Sequence, residues 1–310
     1  MVAERITVGV YALDRVTLPK PAGAGGWARR LTEAMPVLAE DAEPVEISLT
    51  EGPEGLALAL DAPLGGEHRA GTTVAVEPVE GRAGLFLLRV AGKAVALSCA
   101  LPWQPGCEPS LLGSPLSGAL AAYAAGTLID TPDGPCPVET LMPGDAVTTL
   151  GNGSRPLRWV GRRRVEVVEM LAHPGLRPVS FGPGTLGNGR DLLVSPQQRL
   201  LIDDWRAAVY FGEDRVLVAA QALVDDQAAR VVLPTGGVDY VMLLCDRHEV
   251  LLAEGTLSES FHPGEAGLDS LPPGERARLA EVCPEPELLR RRAAFPIVRN
   301  AEARALRLLS

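Results

Sequence analysis

Apolar and polar positions alternate over short stretches of this chain and seldom repeat at helical spacing. Val45-Glu46-Ile47-Ser48-Leu49 and Thr73 to Val76 carry the period of two that sends successive side chains to opposite faces of a strand. Leu56 to Leu60 and Leu85 to Leu88 are continuous apolar runs of strand length, which predicts strands buried on both faces. Gly52-Pro53, Gly65-Gly66, Gly81 and Gly92 punctuate them. One helix is predicted here, over Gly26 to Met35, with Trp27, Leu31, Ala34 and Met35 on one face and Pro36 as its stop. Residues 1–115 therefore predict a β-rich N-terminal domain, and they carry no catalytic signature that would assign it a function.

Residues 102–118 hold four prolines and three glycines, the composition of a linker, and the domain boundary is expected there. From 119 to 263 short apolar segments recur: Thr127 to Ile129, Ala146 to Thr149, Leu157 to Val160, Leu192 to Val194, Leu200 to Ile202, Val216 to Val218 and Val238 to Leu244. Pro132-Asp133-Gly134, Pro143-Gly144-Asp145, Gly151-Asn152-Gly153, Gly187-Asn188-Gly189 and Gly236-Gly237 separate them, a spacing that favours a compact all-β fold over a βαβ sheet. Residues 264–310 predict a helical extension. Glu275 to Val282 ends before Pro284, and Ala301 to Leu309 would start from Asn300 as N-cap, with Ala305, Leu306 and Leu309 inward.

Composition narrows the function. The 310 residues suffice for one large domain or two ordinary ones, and 46% hydrophobic with 22% charged residues is a globular balance. With 29 basic against 39 acidic residues the net charge is −10, so the basic excess of a general nucleic-acid binder is lacking. No apolar run approaches the roughly 18 residues of a membrane-spanning helix. Charges within Met1 to Arg15 argue against a cleavable signal peptide, so a cytoplasmic protein, or one exported by another route, is expected. Five irregularly spaced cysteines without a CxxC pair, four scattered histidines, and the absence of HExxH, GxSxG or a glycine-rich phosphate loop predict neither a metal nor a cofactor.

One run is recognisable. Ala122-Tyr-Ala-Ala-Gly-Thr-Leu-Ile-Asp-Thr-Pro-Asp-Gly-Pro-Cys-Pro-Val-Glu-Thr-Leu-Met-Pro-Gly-Asp145 resembles the opening of the Hint domain, the fold shared by Hedgehog autoprocessing domains and inteins, in its bacterial form. The likeness continues in order through Pro156 to Arg162, Leu186 to Arg199, Tyr240 to Val250 and Ala253 to Gly264, about half the chain. It implies a Hint-type β fold over residues 119–263. It also implies a chemistry: a first-position cysteine attacks the preceding carbonyl, the amide becomes a thioester, and a histidine in a Thr/Ser-x-x-His block protonates the departing nitrogen. A polar residue in the Tyr-Val-His block assists.

This chain departs from that pattern at each of these places. The first position is Ala122, the Ser-Pro-x-His block reads Ser195-Pro196-Gln197-Gln198, and the Tyr-Val-His block reads Tyr240-Val241-Met242. Alanine has no lone pair to donate, glutamine does not shuttle a proton near neutral pH, and methionine is neither acid nor base. The expectation is a degenerate autoprocessing module with a structural or protein-binding role. The alternative is a self-cleaving protein using a substitute nucleophile, Cys245 first, although a cysteine on an apolar strand more simply belongs to a core. Cys136, between two prolines, reads as a surface thiol in a turn. Thr127 and Asp145 read as strand-end and turn residues, and His248 as a structural histidine or else an acid–base group or a metal ligand. Arg162-Arg163-Arg164 and Arg290-Arg291-Arg292 read as solvated faces or ion-pair partners rather than phosphate sites.

Overall fold

The computed structural model describes residues 5–18, 27–52, 55–58, 71–109, 120–303 and 306. They form two compact units, the first built from Met1–Leu116, Val165–Pro174 and Pro234–Gly237, the second from Ser117–Arg164, Gly175–Leu233 and Val238–Ser310.

The first unit is a closed barrel of six antiparallel strands: Arg5–Ala12, Val45–Gly52, Gly55–Leu58, Thr73–Pro78, Leu85–Val90 and Lys93–Cys99. Arg5–Ala12 closes it, pairing with Val45–Gly52 through Arg5 to Val10 and with Lys93–Cys99 through Tyr11 and Ala12. The apolar run Leu85 to Leu88 is buried on both faces, as its composition requires. Leu85 and Leu87 join the interior cluster with Leu31, Leu38 and Leu97, while Phe86 meets the edge of the His173 ring. That ring follows a short helix, Val167–Ala172, which packs on Arg5–Ala12 and Thr73–Pro78. The expected helix runs over Trp27–Glu33 and buries Leu31 completely; the start expected at Gly26 lies outside the described residues, as do Ala59, Leu60 and Gly65-Gly66. The presumed linker begins inside this unit, because Trp103 is buried and its indole N–H donates to the Cys107 carbonyl at 2.9 Å.

The second unit is a single, strongly curled 13-stranded sheet. Ala146–Thr149 and Leu192–Val194 have the expected bounds, while Leu157 to Val160 is the middle of a 13-residue strand, Gly153–Val165. Cys136 corrects the sequence reading: it lies in a strand, Gly134–Pro137, paired with Leu128–Thr131. Two prolines are tolerated because that strand pairs on one side only, so no second ladder misses their N–H. Arg163 is a second correction. It is buried and donates to the Ser270 carbonyl at 2.9 Å, while Arg164 pairs with Asp239.

The C-terminal stretch carries helices Glu265–Asp269, Pro273–Val282, Glu285–Leu289 and Asn300–Ala303. Asn300 is therefore the first helical residue rather than the cap before it; Ala305 and Leu309 lie outside the described residues, and Leu306 is buried. The strand Arg215–Ala219 gains a parallel bridge from Leu217 to Ile297, and Val298, Ala303 and Leu306 enter the main core. Among the described residues, no helix is long and apolar enough to cross a membrane.

Candidate functional site

The two-residue strand Tyr123–Ala124 is the centre of the second unit. It is held between Leu192–Val194, where Val194 faces Tyr123, and Val238–Cys245, where Val241 faces Tyr123 and Tyr240 faces Ala124. Carrying both registers one residue back sets Ala122 across from Ser195 on one side and Met242 on the other. The three blocks separated in sequence thus meet at the Ala121–Ala122 bond.

Ser195 holds that bond. The Ala122 N–H donates to Ser195 Oγ at 2.9 Å, and Ser195 Oγ donates to the Leu120 carbonyl at 2.7 Å. The Ser195 N–H donates to the Ala122 carbonyl at 2.9 Å. The hydroxyl therefore accepts from the amide nitrogen and spends its own proton on Leu120, so it has none to give a departing amine. Gln198 is buried, and its Nε2 donates to Ser258 Oγ at 2.9 Å and to the Glu259 carbonyl at 2.8 Å. The Tyr123 hydroxyl donates to the same carbonyl at 2.8 Å, and burial pushes this phenol far above its ordinary pKa. Gln198 is thus turned towards Tyr123 and Ser258, while Ser195 touches the amide.

Strand alternation settles where Cys245 points. Side chains three positions apart on a strand lie on opposite faces. Cys245 therefore shares the face of Val241 and Leu243, opposite that of Met242, and packs with them and Tyr123 in the apolar core. Burial pushes its thiol up to about 12, with the nearby Glu249 and Asp246 adding to the rise. A neutral, core-facing thiol is a poor nucleophile.

The remaining candidates are held structurally. The Thr127 hydroxyl donates to the Ala124 carbonyl at 2.7 Å, closing the turn after the central strand. The Asp145 carboxylate accepts from the Met142 N–H at 2.8 Å and shapes the Pro143-Gly144 corner. Cys136 Sγ lies 3.1 Å from the Thr140 hydroxyl.

His248 belongs to a buried cluster that the sequence reading missed. Its Nδ1 accepts from the Ala294 N–H at 3.0 Å, which assigns the ring proton to Nε2. Nε2 lies 3.1 Å from Glu259 Oε2, but off the line of a good hydrogen bond. Both oxygens of Glu259 also meet Arg199 Nη1, at 3.1 and 2.9 Å. The His248 ring stacks on His262 with centroids 4.3 Å apart, and burial, then His248, lowers the His262 pKa to about 4. The signal was present as Arg199 beside Gln198 and Glu259 to His262 in the last block, but nothing in the spacing alone joins them. No group of three or more His, Cys, Asp or Glu side chains among the described residues could hold a metal ion.

Residues 121–265 match the model of the Hint domain family. A Hint domain thus lies in the middle of this mainly β chain. No curated protein matches. Among solved structures, the solution structure of a bacterial intein-like domain from Clostridium thermocellum is similar at 14% identity, with a TM-score of 0.32, covering 46% of this chain and 99% of that one.

Proposed function

We propose that this Hint domain is a degenerate autoprocessing module that serves a structural or protein-binding role. The observation that carries the reading is the chemistry around the Ala121–Ala122 amide. Its flanking side chains are Ala122, Met242 and Ser195, and the one hydroxyl among them donates to Leu120 rather than to the amide nitrogen. A nucleophile and a proton donor are both needed for an acyl shift; alanine and methionine side chains supply neither, and the Ser195 hydroxyl accepts from the amide N–H, which supports the reading. Cys245, the alternative nucleophile, faces the opposite side of its strand with its thiol neutral.

The test is intact mass after expression and long incubation, with and without dithiothreitol or hydroxylamine. A single species near 32.7 kDa is expected in every condition. A thiol-dependent fragment ending at Ala121 would refute the proposal, and its loss in Cys245→Ser would identify the nucleophile.

A further inference from the structure

A cleft of about 560 Å³ opens beside the helix Trp205–Phe211, walled by Asp203, Asp204, Trp205, Glu213, Asp214 and Phe295 among others. The helix buries only Ala207 fully, yet presents three large apolar side chains to water: Trp205 is 72% exposed, Val209 66% and Tyr210 57%. Trp205 and Val209 are four residues apart and share one face. Nothing in the folding of this unit asks for an indole at a position so open to solvent, and clustered exposed aromatics are a mark of interaction surfaces.

The charges around the indole give the partner its sign. Asp203 is matched by Arg215 at 2.7 Å. Asp204 is matched by Arg206 at 2.9 Å, which with the Arg206 N–H holds its carboxyl down at about 2. Glu213 and Asp214, on the turn that follows the helix, have no ion pair among the described residues. The cleft therefore joins an open indole to two uncompensated carboxylates, a surface that repels phosphate and anionic lipid headgroups and favours a cation.

We infer that this face docks a polypeptide segment that inserts an arginine side chain flanked by apolar residues. A guanidinium can stack flat on Trp205 while its N–H fork meets the carboxylates of Glu213 or Asp214, a geometry the compact lysine ammonium does not match. The flanking apolar residues would cover Val209 and Tyr210. The inference gives a partner chemistry to the protein-binding role proposed above and rests on that reading.

The test uses the full chain with ¹⁵N-labelled indoles, the Trp205 resonance being assigned with Trp205→Phe. The probes are pools of capped hexapeptides with a central arginine between leucine, valine or phenylalanine, against matched pools with central lysine, glutamine or glutamate. The arginine pool should shift the Trp205 signal saturably and bind about tenfold or more tightly than the glutamine pool. Reversing both Glu213→Lys and Asp214→Lys should weaken it by a similar factor, and in Trp205→Ala calorimetry should find no binding of the arginine pool, with the other indole signals unmoved. All three positions are off the core, so folding is preserved. The inference is overturned if arginine binds no better than lysine, glutamine or glutamate, if charge reversal has no effect, if anionic vesicles saturate the same signal, or if sedimentation finds a Trp205-dependent dimer without peptide. Intact mass reads a separate property, so a failed docking test and a failed autoprocessing test are distinguishable.

Discussion

On the proposed reading, Ala122 stands where the family resemblance expects the nucleophile, and the chemistry should then be restorable by side chains alone. Ala122→Cys by itself should leave the chain whole, because the amide nitrogen would have to depart without a proton. Adding Met242→His sets an imidazole across the strand pair from residue 122, and Gln198→His places another in the block where the family resemblance expects it. General acid assistance is typically worth about 10²–10⁴-fold, and groups acting as a unit are not additive, so the triple variant should outpace either double. Mass spectrometry of the thiol-treated triple variant should find fragments 1–121 and 122–310. A triple variant that folds like the parent yet stays intact for days would locate the loss elsewhere, in backbone strain at the bond.

His262 is a second residue whose environment can be read out. Its ring faces His248, Arg199, Arg291 and, beyond them, the Glu259 carboxylate. Folding lowers its pKa from 6.5 to about 4, so the unfolded chain binds a proton that the folded chain refuses. Its contribution to stability is present in full above pH 6.5 and is lost as pH falls towards 4. Carboxylates whose pKa folding lowers, such as Glu254 and Asp204, lose their contribution only below about 4.5. Urea unfolding between pH 6.5 and 4.5 should therefore slope downward in the parent and be flatter in His262→Gln. Equal slopes would mean that the ring is hydrated in the folded protein.

At the scale of elements, several family-like blocks turn out to be packing devices. In Leu157-Arg158-Trp159-Val160-Gly161, the Trp159 ring lies over Gly161, two residues on, and a Cβ at position 161 would overlap it. Trp159 is buried and tilts against Phe261 with centroids 5.4 Å apart, so it has nowhere to retreat. Gly161→Ala should cost about 1–3 kcal/mol, as overpacked cores do, measured as a lower urea midpoint at unchanged slope. An unaltered midpoint would show that the indole swings aside. In Leu186 to Arg190, the Asn188 amide donates to the Phe181, Gly182 and Arg190 carbonyls and its oxygen accepts from the Leu186 N–H, tying a loop shut.

Strands with their own signal were legible in the sequence: Ala146–Thr149, Leu192–Val194 and Val238–Cys245 are apolar segments fenced by Gly, Pro or Asn. Tyr123–Ala124 was not, because two residues carry no periodicity and their pairing is decided by partners more than 70 residues away. Thr256–Glu259 was missed because its buried residues, Thr256, Ser258 and Glu259, are polar and are satisfied by Arg199, Gln198 and other groups distant in sequence. The candidate site divides the same way. Ala122, Ser195 and Met242 follow from aligned blocks, whereas the turning of Gln198 towards Glu259 and of Cys245 into the core depends on side-chain direction.

At the scale of the whole molecule, the first unit is discontinuous in sequence. Its barrel strands end at Cys99, but the helix Val167–Ala172, with Val167, Val168, Met170 and Leu171 buried, belongs to the same compact body. Phe86, fully buried, has the His173 ring as an edge neighbour. A fragment ending at residue 116 would lack this cover and expose apolar surface on Arg5–Ala12 and Thr73–Pro78. Each buried aliphatic side chain removed from water is worth roughly 1.5–3 kcal/mol, so the isolated fragment should lose several kcal/mol and bind a hydrophobic dye such as ANS. Supplying residues 165–174 as a peptide should reverse part of that loss, and Phe86→Ala in the full chain should mimic it. A fragment of residues 1–116 as stable as the full chain would mean that the helix adds nothing to the barrel. The same topology bears on cleavage in the restored triple variant. Its fragments 1–121 and 122–310 should stay together through this helix under native conditions, eluting as one species at the parent's volume, and separate only in denaturant. Separation on a native column would show that the helix does not hold the barrel once the chain is cut.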